Sequence, residues 1–381
     1  MVCPVIPYPS VGGGYKRTLR MLEAMQRAGL QPHLLTTDPG APAAIEHLRE
    51  RGFEVEVLPD ASGTFASRAA QKLRRLPSPF LHSVDQRLRQ LVAEGVAFVQ
   101  FESSLSSYYF DAIGDVPAVL SLQNVDSHAL QSVARDERPL SVGWARAWSR
   151  TLAMRSVERR AVPRAHAVVC VSEADAAVVD GRARRVIVAP NGVDGSLFEI
   201  SPEPPAAEDV LFFGQYDYAP NAHGVLRFLR NGWPLLAAAR PAARLRLVGK
   251  GATPALEQAV AASPRVELVG VIDDIREALA RSRITIVPIW QGGGTRLKVL
   301  ESLGAARPVA GTSLGVDGIG FESGRHGFVA DDPAELARRA AELFEDPSSW
   351  REMAAAGREL AQAYRWERAL EPVVDLYRSL T

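Results

Sequence analysis

Short apolar runs, each closed by a glycine, a proline or a polar cluster, recur along the whole chain with helical stretches between them. Runs at 33–37, 53–58, 96–101, 118–122, 167–171 and 185–189 fill the first half. Runs at 210–213, 245–248, 266–269, 284–287 and 308–310 fill the second. A β-α-β alternation of this kind predicts a parallel sheet with helices on both faces. The 381 residues exceed what one core usually supports, so two such sheets are expected. The fold class is therefore α/β, with two Rossmann-like, doubly wound domains. The Pro- and Glu-rich stretch 201–208 is the best linker in the chain.

Charge and cysteine content narrow the function classes. Lys+Arg and Asp+Glu balance at 44 each, which gives no overall electrostatic case for nucleic acid. Cys3 and Cys170 sit in apolar surroundings without metal-ligand spacing, so buried free thiols in a reducing cytoplasm are expected, and no metal site. No run of about 18 apolar residues predicts a transmembrane helix. The start lacks the pattern of a signal peptide. The segment 2–6 leaves little room for a first strand, which leaves open a true start upstream of Met1.

The chemistry is expected in the stretch 284–303. Its strand pattern ends at Pro288, three glycines follow (Gly292, Gly293, Gly294), and a helical rhythm begins near Thr295. Strand, glycine turn and helix start leave a row of unpaired backbone N–H groups at the positive end of a helix dipole, a place that binds phosphate. Lys298 and Glu301 lie three apart and project from one side of the helix. They could face a diphosphate and a sugar hydroxyl, or form a solvated ion pair beside a plain turn. In the first half, Gly12, Gly13 and Gly14 precede a helix but lack the dinucleotide-binding spacing. Gln123 and Asn124 end the run 118–122, at the strand edge where open α/β sheets bind ligands. The turn Gly249-Lys250-Gly251 lacks the residues of a P-loop, which disfavours ATP hydrolysis.

The segment GGGTRLKVLESLGAARPVAGTSLGVDGI resembles the donor-site segment of family-4 glycosyltransferases, in the subgroup with a GGGTRLK-like loop. The Gly12–Gly14 loop, the NGVD turn at 191–194 and the loop after 210–213 resemble the same family in the same order. The resemblance implies the GT-B fold. It implies a first domain over 1–194 joined by a C-terminal helix over 367–381, and a donor domain over 195–366.

The resemblance also implies a retaining transferase that moves a sugar from a nucleotide-diphosphate donor to an acceptor hydroxyl, without a cofactor. The absence of any Asp-x-Asp fits a metal-independent reaction. Arg296, Lys298 and Glu301 are the catalytic candidates, and the glutamate matching Glu301 usually bonds the nucleotide ribose. Gly214, Gln215, Val271, Ile272, Gly292, Gly293, Gly294 and Thr295 are the donor-binding candidates; Gly12, Gly13, Gly14, Gln123 and Asn124 are those on the acceptor side.

Three departures stand out. The family's first glutamate is replaced by Gly293, its loop arginine and lysine by Gln215 and Asn221 or a neighbour, and its His-Asn by Gln123-Asn124.

The acceptor is a carbohydrate, a lipid-linked molecule or a small molecule. Cell-envelope polysaccharide or glycoconjugate assembly is the favoured setting, with a small natural product as alternative. A nucleotide-sugar epimerase lacks acid/base groups on the matched motifs. A silent GT-B partner subunit stays open. Two basic helical stretches, 66–92 and 141–164, complete the reading. The second, rich in Arg and Trp, either lies on an anionic membrane surface at the inner face or is a crossover helix with a solvated basic face. Glu158 and nearby acids would dilute its charge, which favours the second alternative.

Overall fold

All strand pairs are parallel, as the apolar runs predict. The structure, a computed structural model of the chain, describes residues 1–8, 13–58, 82–136, 139–292 and 297–381. Of the basic stretch 66–92, residues 66–81 lie outside that set. The chain forms two compact units, residues 1–190 with 370–381, and residues 191–369.

In the first unit β1 (His33–Thr36) pairs with β2 (Glu54–Val57), and β3 (Val99–Glu102), β4 (Ala118–Leu122), β5 (Ala167–Cys170) and β6 (Val186–Val188) form a second ladder. Val2 joins the two, bridging Leu35 on one side and Phe101 on the other. The expected first strand is therefore one residue long, since Pro4 has no N–H to continue a ladder. Each strand of the β3–β5 set is buried throughout, as parallel strands covered on both faces require. Cys3 and Cys170 are buried free thiols, and burial pushes both up to about 12.

The second unit holds β7 (Asp209–Phe213), β8 (Arg244–Val248), β9 (Val266–Gly270), β10 (Ser282–Val287), β11 (Val309–Gly311) and β12 (Gly327–Val329). Their order across the sheet is β12-β11-β10-β7-β8-β9. Val210, Leu211 and Phe212 are each at 0% exposure in the middle of it. Burying such side chains contributes roughly 1.5–3 kcal/mol apiece. Trp233 and Trp350 fill the flanks, their indole N–H groups donating to Pro264 O and Arg283 O, both at 2.8 Å.

The chain passes between units at 190/191 and 369/370, a few residues from the positions expected. The reason is local. Val193 N–H donates to Tyr364 O at 2.8 Å, and a Cβ on Gly192 would meet Trp366 at 2.5 Å, so the turn at 191–194 packs within the second unit. The expected linker at 201–208 is likewise part of that unit. Arg307 donates to Ser201 O (3.2 Å) and Arg283 to Pro205 O (3.0 Å), while Arg351 pairs with Glu203 at 2.8 Å and Arg240 with Glu208.

Arg307, 1% exposed, is the main strap. It also donates to the carbonyls of Leu279 (2.8 Å), Ala306 (3.0 Å) and Ala280 (3.3 Å), and burial lowers its guanidinium to about 10. Arg307→Met strands several buried carbonyls at once. The expected loss is about 3 kcal/mol of unfolding free energy, read from the urea midpoint.

Glu158 is the other correction. It is 2% exposed and accepts from Ser127 N at 3.0 Å and from the Ser127 hydroxyl, so it does not dilute the charge on the outside of its helix. Among the described residues, no helix is long and apolar enough to cross a membrane.

Candidate active site

The winding of the second sheet reverses between β7 and β10. From β7 the chain runs outward through β8 and β9, then returns and runs the other way through β10, β11 and β12. Open α/β sheets bind ligands at the carboxyl ends of the strands beside such a reversal. The loops that meet there begin at Gly214 after β7 and at Pro288 after β10.

Backbone bonds zip the strand ends together. Gly214 N–H donates to Val248 O (3.0 Å), Tyr216 N–H to Lys250 O (2.8 Å) and Gly249 N–H to Gly270 O (2.8 Å). Gly249 has φ 143°, and a Cβ there would sit 1.8 Å from Gly214 O. Only glycine allows this approach.

Lys298 lies in the first turn of the Leu297–Gly304 helix after β10 and reaches across the reversal. Its ammonium donates to Asn221 Oδ1 at 2.7 Å and lies 4.2 Å from the centroid of the Phe212 ring. Asn221, buried in the first turn of the Ala219–Asn231 helix, fixes the other loop by donating from Nδ2 to Gln215 O at 2.7 Å. A Cβ on Gly214 would meet Asn221 Nδ2 at 2.9 Å and Lys298 Nζ at 3.1 Å. One cation is thus immobilised beside a backbone with no side chain, at the positive end of a helix dipole: a geometry that stabilises an anion.

Glu301 follows one turn on and is 5% exposed, so a solvated Lys298–Glu301 pair is not what forms. Gly292, at φ 96°, stands where a Cβ would meet the Tyr218 hydroxyl at 2.9 Å. Val271 is 56% exposed just past β9, and Ile272 is half-buried against the core of the same unit. Gly293, Gly294, Thr295 and Arg296 lie outside the described residues.

The first unit has its own site. A cavity of about 280 Å³ opens at the carboxyl ends of β3 and β4, lined by Gly14, Thr18, Glu102, Gln123, Asn124 and Asp126 among others. Gln123 and Gly14 meet there, and a Cβ on Gly14 would lie 2.5 Å from Gln123 Oε1. Gly13 opens the helix Gly13–Arg27; Gly12 lies outside the described residues.

Glu102 and Ser103 line the same strand end without a motif to mark them in the sequence. Ser103 holds φ 100° and ψ 154°, a region nearly reserved for glycine, and such strain gathers at ligand sites. Glu102 is 2% exposed, accepts from Gln100 Nε2 (2.5 Å) and Ser121 Oγ (3.2 Å), and burial raises its carboxyl. A polar residue pair ending an apolar run was the one available signal. A larger groove of about 690 Å³, between the Trp233–Ala239 and Pro333–Glu342 helices, shares no residue with either set of strand-end loops.

Burial, then the nearby Glu158 carboxylate, raise Asp126 to about 6 from 3.8. Between those values the unfolded chain releases the proton and the folded one keeps it. Stability therefore falls as pH rises from about 4 to about 6 and is level above that. Asp126→Asn removes this loss. The variant is expected to be more stable than the parent by about 3 kcal/mol above pH 6 and equal to it below pH 4, by urea unfolding across pH.

Among the described residues, no group of three or more His, Cys, Asp or Glu is placed to hold a metal ion.

The sequence matches Glycosyltransferase Family 4 over residues 11–197 and Glycosyl transferases group 1 over residues 207–346. No curated protein matches it. Among solved structures it is similar to a sucrose-phosphate synthase from Thermosynechococcus elongatus, with TM-score 0.74, 20% identity, and coverage of 100% of this chain and 98% of that one. It is similar to Anabaena HepE in complex with UDP-glucose, with TM-score 0.69, 16% identity, and 99% of both chains covered. It is also similar to WaaG, a glycosyltransferase involved in lipopolysaccharide biosynthesis, with TM-score 0.68, 15% identity, and coverage of 100% and 98%. With two family matches that together run from residue 11 to residue 346, and the GT-B architecture of these neighbours, the chain belongs to glycosyltransferase family 4 and is a glycosyltransferase.

Proposed function

We propose that the second unit binds a nucleoside-diphosphate sugar and that the sugar passes to an acceptor hydroxyl with its anomeric configuration retained and without a bound metal. The observation that carries this reading is Lys298, fixed at the reversal of the sheet by Asn221 and Phe212. The sugar–phosphate bond breaks as negative charge builds on the leaving diphosphate, and a pre-placed cation stabilises that charge at no cost of reorganisation. By the family resemblance Arg296 and the N–H groups of Gly293, Gly294 and Thr295 share this role, with Gly214, Gln215 and Gly292 giving the diphosphate close backbone. Glu301 bonds the ribose, and backbone groups of Val271 and Ile272 pair with the base.

Gly12, Gly13, Gly14, Gln123 and Asn124 hold the acceptor, a carbohydrate. Its proton leaves to the departing phosphate oxygen, so no separate base is needed. Retention and metal independence rest on the family resemblance and on the absence of Asp-x-Asp. The likeness to HepE, solved with UDP-glucose, supports a nucleoside-diphosphate donor; the likeness to WaaG supports a role in cell-envelope glycoconjugate assembly.

Product analysis by NMR, with chelator-treated protein in parallel, tests the mechanism. The product is expected to keep the donor's anomeric configuration, and the rate is expected to be unchanged by chelation. An inverted product, or activity restored only by added metal, contradicts it.

A further inference from the structure

The helix Val142–Ala161 and the turn before it gather exposed apolar side chains more densely than any other described part of the chain. Leu140 is 90% exposed, Val142 86% and Leu152 59%; the other large apolar residues that are exposed, Tyr218, Leu235 and Val271, are scattered over the second unit. Arg146, Arg150, Arg159 and Arg160 are exposed on the same helix. Val142, Arg146, Ser149, Arg150 and Ala153 follow one another at helical spacing, so they share one face. Glu158 is the helix's only acid, and it is turned inward onto Ser127. That face therefore carries Arg146, Arg150 and Arg160, the last returning to the side of Val142 five turns on, and no carboxylate of the helix's own. Trp144 and Trp148, half-buried, pack edge to face at 6.3 Å beneath it.

We propose that this face docks on an anionic lipid surface, with Leu140 and Val142 entering the headgroup boundary and the arginines meeting lipid phosphates. The charge of this face is complementary to such a surface, although the whole chain is balanced at 44 basic and 44 acidic residues. A nucleic acid or polysaccharide would use the arginines alone and leave Leu140 and Val142 in water. The proposal stands apart from the donor chemistry and is read without any activity.

The test is co-sedimentation of the full chain with phosphatidylcholine vesicles, with and without phosphatidylglycerol. Binding is expected only with phosphatidylglycerol, and it should be released by high salt. Arg146→Glu with Arg150→Glu should lower partitioning on the order of tenfold or more. Leu140→Ser with Val142→Ser should lower it several-fold. Both variants should melt as the parent does, because the replaced side chains are exposed. Equal binding to neutral vesicles, no binding to either, or wild-type partitioning by the arginine variant overturns the proposal. So does retention on heparin or a polynucleotide without vesicle binding, which would assign the face to a soluble polyanion.

Discussion

Lys298→Ala is expected to slow donor cleavage by about a hundredfold to a thousandfold while leaving the protein folded. The ammonium is held at a fixed point by Asn221 Oδ1 and the Phe212 ring, so it meets the developing charge without having to move. Its removal costs most where charge is greatest, in the transition state. The loss should therefore appear in kcat, with a smaller change in KM. Stability should change little, since Lys298 is half-buried and Asn221 keeps its bond to Gln215 O. Equal melting temperatures for parent and variant separate a lost charge from a damaged fold.

Gly249→Ala is expected to cost about 3 kcal/mol or more of stability and to abolish donor binding. Two effects add there. The φ of 143° is unfavourable for any side chain, and the new Cβ would lie 1.8 Å from Gly214 O, a backbone atom that can shift only by opening the β7–β8 strand ends. Gly270→Ala is the control. It also has positive φ, 81°, but nothing lies within 4 Å of its Cβ position, so it should cost only about 1 kcal/mol. A gap of about 2 kcal/mol between the variants measures the close approach that builds the site. Equal urea midpoints would show that the approach relaxes freely.

Strands buried on both faces write themselves as apolar runs, which is why β3, β4, β5 and β7 were legible in the sequence. β12 was not. It is Gly-Phe-Val, and its glycine is at φ 136° where a Cβ would also meet Val309 O at 2.0 Å, so its signal is contact and not pattern. The stretch 201–208 reads as a linker by composition, yet the arginines that strap it down, at 283, 307 and 351, come from 78, 106 and 148 positions along the chain. Glu158 misleads in the same way, because the serine that buries it lies 31 residues earlier. Lys298 was legible from its place after a glycine turn; Asn221 shows in the sequence only as a departure, where the family's loop carries a basic residue. That the one holds the other is a fact of folding, since 77 residues separate them.

The most direct test is nucleoside-diphosphate release from a panel of nucleotide sugars, with wild type and Lys298→Ala side by side. The account predicts slow release from one donor by the wild type and release at least about a hundredfold slower by the variant. No binding or release from any donor by the folded wild type, or equal rates for the two proteins, would contradict it.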